Sequence, residues 1–437
     1  MTGPLERAGE ARRRLVEQMA PDAVAVIPAA VEQPRNRDVD HPFRQDSDFR
    51  YLTGFPEPDA VAVIAPGRAE GEFVLFCRAR DPEREQWTGR RAGPEGATER
   101  YGADEAHPLD ELGETLPSLL LDRRRVLFPL GRSEHWDRSL TAWLATARRL
   151  ARGTRAVPRE IALLEGTVHE LRLRKSDAEL ECMQRAAGLT ATAHRRAMQA
   201  VRADMPEYQL EAEILHVFQR QGATTAYPSI VAGGANACIL HYVDHRDILR
   251  DGDLVLVDAG AELEGYAADV TRTFPVNGRF TAPQRAIYEV VLAAQEAAIA
   301  AVRSGRGFNE FHEEASRVLG EGLVELGLLR RDGDHPEAHG ALRSFFPHRT
   351  GHWLGLDVHD VGATGSNGGW RVLEPGMVVT VEPGLYVPMD REDVDPQWRG
   401  IGVRIEDDIV VTEDGPRNLT ADVPKTVDEV EAWMANS

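Results

Sequence analysis

The chain is poor in cysteine, in positive charge and in long apolar runs, and each shortage excludes a class of protein. Its three cysteines, Cys77, Cys182 and Cys238, are widely separated and form no C-x-x-C pair. No disulfide framework is expected, and a reducing cytoplasm fits. Cys77 and Cys238 sit in apolar runs, where a free cysteine fills space as a small hydrophobe. Lysine and arginine number 51 against 71 acidic residues, a net charge of −20. That balance argues against nucleic acid as a partner, because phosphate binding needs clustered positive charge. The runs Arg12-Arg13-Arg14 and Arg123-Arg124-Arg125 are expected to be solvated faces. No apolar run approaches the roughly 18 residues of a membrane span, and PLERAGEARRRLVEQM near the start is a charged helix, not a leader, so no membrane association is expected. Two hydrolase signatures are also missing. There is no G-x-S-x-G, and His169-Glu170 opens an H-E-x-x-H in which Leu173 stands where the second histidine belongs.

At 437 residues the chain can build two domains, each with its own core. Residues 1–170 alternate short strands and helices, an α/β pattern. Strands are expected over Ala23–Ala29, Ala60–Ala65, Phe73–Phe76 and Val126–Leu130, with a helix over Leu140–Arg152. Pro158–Arg174 reads as a helical or connecting segment. Residues 171–437 form the second domain. Ser176 and Glu179 make a capping box that opens a long helix. A helix followed by Pro206-Glu207-Tyr208-Gln209-Leu210-Glu211 is echoed by a helix from Thr281 and then Asn309-Glu310-Phe311-His312-Glu313. The offset of roughly a hundred residues is too long for a solenoid and suits a duplicated unit of two helices and a hairpin.

Within this second domain lie four acidic residues, Asp258, Asp269, Glu382 and Glu406, each in an apolar or glycine-marked stretch, and one histidine, His352. The segments are LVLVDAG, GYAADVTRTF, VVTVEPG, GVRIEDD and RTGHWLGLDVHD. Buried carboxylates are costly unless a cation holds them, so this set asks for metal. LVLVDAG and DVTRTFPV read as paired strands joined through Gly265. With the turn centred on Leu263 and Glu264, Asp258 and Asp269 are expected directly opposite each other, about 5 Å apart at Cβ. An exposed hairpin with two solvated aspartates is the alternative. Arg404 and Glu406, two apart, share a strand face, with Val403 and Ile405 turned into the core. Four carboxylates and a bridging hydroxide outweigh two divalent ions by a single negative charge, which Arg404 can balance. Oxygen-rich ligation with one imidazole and no thiolate favours manganese, while cobalt or zinc could also bind.

The order Asp, Asp, His, Glu, Glu resembles that of the pita-bread metallopeptidases. The stretches Ala237-Cys238-Ile239-Leu240-His241-Tyr242, DGDLVLVDAG, DVTRTFPVNG, HWLGLDVHDVG, LEPGMVVTVEPGLY and RGIGVRIEDDIVVTEDG are most similar to aminopeptidase P, and the resemblance runs from about Arg35 to the end. It implies an α/β N-terminal domain ahead of an α+β pita-bread catalytic domain built from pseudo-twofold duplicated helix and hairpin units. It also implies two divalent metals, with Asp258 on one, Asp269 and Glu406 bridging, and His352 with Glu382 on the other. A metal-bridging hydroxide would attack Xaa-Pro-Yaa peptides, with Glu382 accepting the water's proton. His241, His348, His359 and Arg404 match catalytic positions, and Tyr227, Tyr386 and Trp87 match substrate-cleft positions. A homo-oligomer, dimer or tetramer, is implied as well.

One other reading stays open on the residues alone, and two more are disfavoured. Prolidase shares the fold, ligands and most motifs but takes Xaa-Pro dipeptides. Methionine aminopeptidase does not need so large an N-terminal domain. Pita-bread domains that serve as non-catalytic binding modules lose ligands, and here the set is intact.

Overall fold

The computed structural model describes residues 3–153, 155–330 and 340–435. They divide into two compact units, Met1–Arg172 and Leu173–Ser437.

The first unit is built on a six-stranded mixed sheet. In chain order its strands are β1 (Ala23–Pro28), β2 (Val61–Ile64), β3 (Phe73–Cys77), β4 (Glu105–Pro108), β5 (Arg125–Phe128) and β6 (Glu160–Leu163), arranged β4-β3-β2-β1-β5-β6. β1, β2 and β3 are buried along their whole length because both faces are covered, so they read as unbroken apolar runs. One face, with Val24, Val26, Val61, Val63, Val74 and Phe76, joins a core with Leu116, Leu140 and Trp143 from flanking helices. The two edge strands are absent from the expected set. β4 is EAHP and only half-buried. β6 alternates half-buried and exposed residues inside the stretch taken as helical or connecting. The arginine runs are only partly solvated. Arg12 donates to the Leu52 carbonyl at 2.8 Å and stacks on Phe73, and Arg123 donates to Pro66 O at 2.7 Å.

The second unit repeats one motif. Helices Asp177–Ala200 and Glu207–Arg220 precede one hairpin system, and helices Ala282–Ala301 and Glu310–Glu325 precede another. Each long helix opens with a capping box, Ser176/Glu179 and Thr281/Gln284, which satisfies backbone N–H groups that would otherwise lack partners. The first system holds β7 (Thr224–Thr225), β8 (Ile230–Gly233), β9 (Leu254–Asp258), β10 (Ala261–Leu263), β11 (Tyr266–Ala267) and β12 (Thr271–Pro275). After the short ribbon of β13 (Gly365–Ser366) and β14 (Gly369–Trp370), the second holds β15 (Val378–Val381), β16 (Gly384–Val387), β17 (Ile401–Arg404), β18 (Asp407–Thr412) and β19 (Gly415–Asn418). β12-β9-β8 and β15-β18-β19 are the corresponding three-stranded sheets. This is the pseudo-twofold α+β pita-bread architecture.

The hairpin register differs from the expected one. Asp258 pairs with Thr271, not Asp269, and Leu263 pairs with Tyr266. The turn is therefore Glu264-Gly265, with φ of +51° and +89°. A two-residue turn with both central residues left-handed follows strand twist, and glycine takes the second position without strain. Centring the turn one residue later shifts the pairing by two, so Asp258 and Asp269 become diagonal neighbours. The parity is kept, and both still project from one face.

Candidate metal centre

A cavity of about 590 Å³ in the second unit is lined by Asp258, Asp269, His352, Glu382 and Glu406 together. Each is delivered by a different element. Asp258 ends β9 and Asp269 precedes β12. Glu382 follows β15, and Glu406 lies between β17 and β18. His352 comes from a segment laid against β15, where Thr380 N donates to His352 O at 3.0 Å and Glu382 N to Thr350 O at 2.8 Å. That approach needs Gly351, because a Cβ there would stand 2.0 Å from Thr380 O.

The donor atoms of Asp269, His352 and Glu406 lie within 4.8 Å of one another. His352 Nε2 is 3.5 Å from Asp269 Oδ2 and 3.6 Å from Glu382 Oε1. Asp258 Oδ2 meets Arg404 at 2.5 Å, and Glu382 Oε2 is 3.8 Å from His348 Nδ1. The Tyr227 hydroxyl sits 2.6 Å from Asp258 Oδ1 and 2.5 Å from Asp269 Oδ1. A hydroxyl has one proton, so it can serve only one of these oxygens at a time. The other requires a proton or a cation.

The electrostatics say the same. Burial raises the carboxyls of Asp269 and Glu406, and neighbouring carboxylates add to it; burial likewise lifts Glu382 to about 7. Burial alone would lower His352, but the Asp269 hydrogen bond and the Glu382 and Asp269 charges hold it up at about 9. Its extra proton plays the part of a cation. His352 Nδ1 is 2.9 Å from the Trp353 carbonyl, which fixes a proton there and directs Nε2 into the cavity as a ligand atom. No cysteine lines the cavity. The donor set therefore fits hard divalent ions.

Of the other expected residues, all but Trp87 belong to the second unit. Arg404 is buried and donates to Thr271 Oγ1 at 3.1 Å, Tyr386 Oη at 3.0 Å and Asp258 Oδ2. Burial works against its charge, but Tyr386, Asp258 and Glu406 keep it protonated. Val403 and Ile405 are fully buried on the opposite side. His348 Nε2 is 2.8 Å from the Tyr386 hydroxyl. Burial, aided by the Arg404 charge, lowers His348 to about 4. His359 lies edge-on to His352, centroids 4.2 Å apart, and burial lowers it too. Both imidazoles are neutral at pH 7. His241 also lines the cavity and is exposed. Trp87 belongs to the first unit, in helix Pro82–Thr88, and is 88% exposed.

Sequence reasoning passed over Thr271, whose hydroxyl donates to Glu406 Oε2 at 2.6 Å. It also passed over Asp408, whose carboxylate accepts the Asp269 backbone N–H at 3.1 Å. Thr271 had a signal. Asp269, Thr271 and Thr273 alternate along a buried strand, polar residues on one face. Thr273 Oγ1 accepts the Arg404 N–H at 3.2 Å.

Residues 181–413 match the model of metallopeptidase family M24, and residues 9–128 match the aminopeptidase P N-terminal domain. The chain is 48% identical to the Xaa-Pro aminopeptidase of Escherichia coli, over 97% of this chain and 96% of that one. Among solved structures, the Pseudomonas aeruginosa aminopeptidase PepP superposes with a TM-score of 0.97 at 52% identity, covering 100% and 99% of the two chains. A zinc-substituted E. coli aminopeptidase P in complex with product gives 0.94 at 46% identity, covering 99% and 98%.

Proposed function

The chain belongs to metallopeptidase family M24, preceded by an aminopeptidase P N-terminal domain, and on that premise we propose that it removes the N-terminal residue from peptides with proline in second place. One observation carries this reading: Asp258, Asp269, His352, Glu382 and Glu406 converge on a single cavity.

Asp258, Asp269, His352, Glu382 and Glu406 would hold two divalent ions there. When bound, they supply Lewis-acid polarisation of the scissile carbonyl and acidify a water. Glu382, which lines the cavity 3.6 Å from His352 Nε2, is placed to accept that water's proton. His241 and His359 offer imidazole N–H groups to the substrate carbonyl. Arg404 and His348 converge on the Tyr386 hydroxyl, which fixes Arg404 beside Asp258. An Xaa-Pro bond has no amide proton to grasp, so recognition depends on fitting the compact proline ring. Tyr227 and the apolar wall of Ile230, Leu240 and Val243 suit that task, and the family resemblance adds Tyr386 and Trp87 as proposed substrate contacts.

We take manganese as the resident metal on the strength of the oxygen-rich donor set. Three free cysteines support a reducing cytoplasm, and among the described residues no helix is long and apolar enough to cross a membrane. A homo-oligomer rests on the family resemblance. Light scattering would reveal it.

The substrate reading is tested by a panel of Xaa-Pro-Yaa, Xaa-Ala-Yaa and Xaa-Pro peptides with the manganese-loaded protein. Release of Xaa from Xaa-Pro-Yaa alone is expected. Cleavage of only the dipeptide would replace this reading with prolidase. Glu382→Gln should lower kcat by at least about 100-fold while metal still binds. Near-normal turnover would remove Glu382 from the base role.

A further inference from the structure

One cavity residue has no part in the reaction so far. Arg349 lines the metal cavity, is exposed, and sits between His348 and the Gly351 close approach. Its guanidinium lies over the Trp370 ring, 5.0 Å from the centroid, and its Nη2 donates to Asn309 Oδ1. Both partners are neutral. Among the described residues Arg349 makes no ion pair, which stands out in a chain of net charge −20 whose cavity carries four carboxylates. The cavity's other arginine, Arg404, is buried and already bound to Asp258, Tyr386 and Thr271. It has no fork left for a guest.

Resting on the peptidase reading above, we propose that Arg349 is a specificity residue that binds a carboxylate on the substrate segment following proline. The physical reasons are three. A planar guanidinium held on an aromatic face keeps an edge free for bidentate carboxylate binding and has already lost rotamer freedom. With Arg404 committed to Asp258, Tyr386 and Thr271, Arg349 is the cavity guanidinium left to meet an incoming carboxylate. A carboxylate on the third residue lies beyond the scissile bond, on the leaving side, so its capture holds the peptide without touching the reacting atoms. The carboxylate has two sources, the free C-terminus of a tripeptide or an acidic side chain in a longer one.

The experiment compares kcat/KM for Xaa-Pro-Ala with its C-terminal amide, and for Xaa-Pro-Asp-amide with Xaa-Pro-Asn-amide, in wild type, Arg349→Gln and Arg349→Lys. In wild type the charged member of each effective pair is favoured about tenfold, through KM and not kcat, and the ratio shrinks as salt rises. A ratio in the first pair only assigns the free terminus, and in the second the side chain. Arg349→Gln brings the ratio to about one, and Arg349→Lys keeps part of it. Equal wild-type rates within both pairs, or a ratio that survives Arg349→Gln, overturns the inference and leaves the peptidase reading standing. Wild-type protein that cleaves none of the four overturns both.

Discussion

At the scale of single residues, side-chain chemistry was legible where charge had to be buried. A carboxylate at the end of an apolar strand announces a cation, and Asp258, Asp269, Glu382 and Glu406 all carry that mark. Thr271 does not, because a threonine is ordinary in a strand; only its shared face with Asp269 gives it away. Its hydroxyl joins Glu406 to Arg404, donating to one and accepting from the other. Thr271→Val keeps the shape and deletes both bonds. It should cost about 10- to 100-fold in metal affinity or activity, the usual effect of losing a partner behind a ligand. Isothermal titration with manganese and steady-state kinetics would measure it, and Thr271→Ser should restore most of the loss. Arg349 was invisible in the sequence for a related reason: its meaning depends on Trp370 and Asn309, neutral partners distant in the chain.

At the scale of elements, strands with covered faces and capped helices were readable, whereas β4, β6 and the hairpin register were not. Edge strands bury little and so lack an apolar pattern. The register was set by one fact about backbone dihedrals, that Gly265 takes the second left-handed place of a two-residue turn. Gly351 sets another alignment, between the His352 segment and β15. Gly351→Ala places a methyl 2.0 Å from Thr380 O and must push the two apart. A loss of about 1–3 kcal/mol in urea unfolding is expected, together with weaker metal binding, since His352 and Glu382 sit on the separated strands. Unchanged stability would mean the segments are free to part.

At the scale of the whole molecule, the two units should answer differently to acid and to metal. Asp48 in the first unit is buried against Arg172 at 2.7 Å, with His169 at 3.3 Å. Burial alone would raise its carboxyl, but His169 and Arg172 hold it well below the ordinary range. A depressed folded-state pKa stabilises fully above the unfolded value near 4, and the contribution fades as pH falls through the folded one. Acid should therefore weaken the first unit below about pH 4. Asp48→Asn should flatten that dependence and cost about 3 kcal/mol at neutral pH by leaving Arg172 buried without its counter-charge. Differential scanning calorimetry of the full chain, where the two units are expected to give two transitions, is the measurement. Metal should act on the second unit alone, raising its transition by mass action. The most direct test of the account joins metal count to activity. Chelated protein is titrated with manganese while bound metal and Xaa-Pro-Yaa cleavage are followed together. Activity should be lost on chelation and return as two ions per chain bind, with Asp269→Asn and Glu406→Gln recovering neither. Full activity in protein stripped of metal would contradict the central claim.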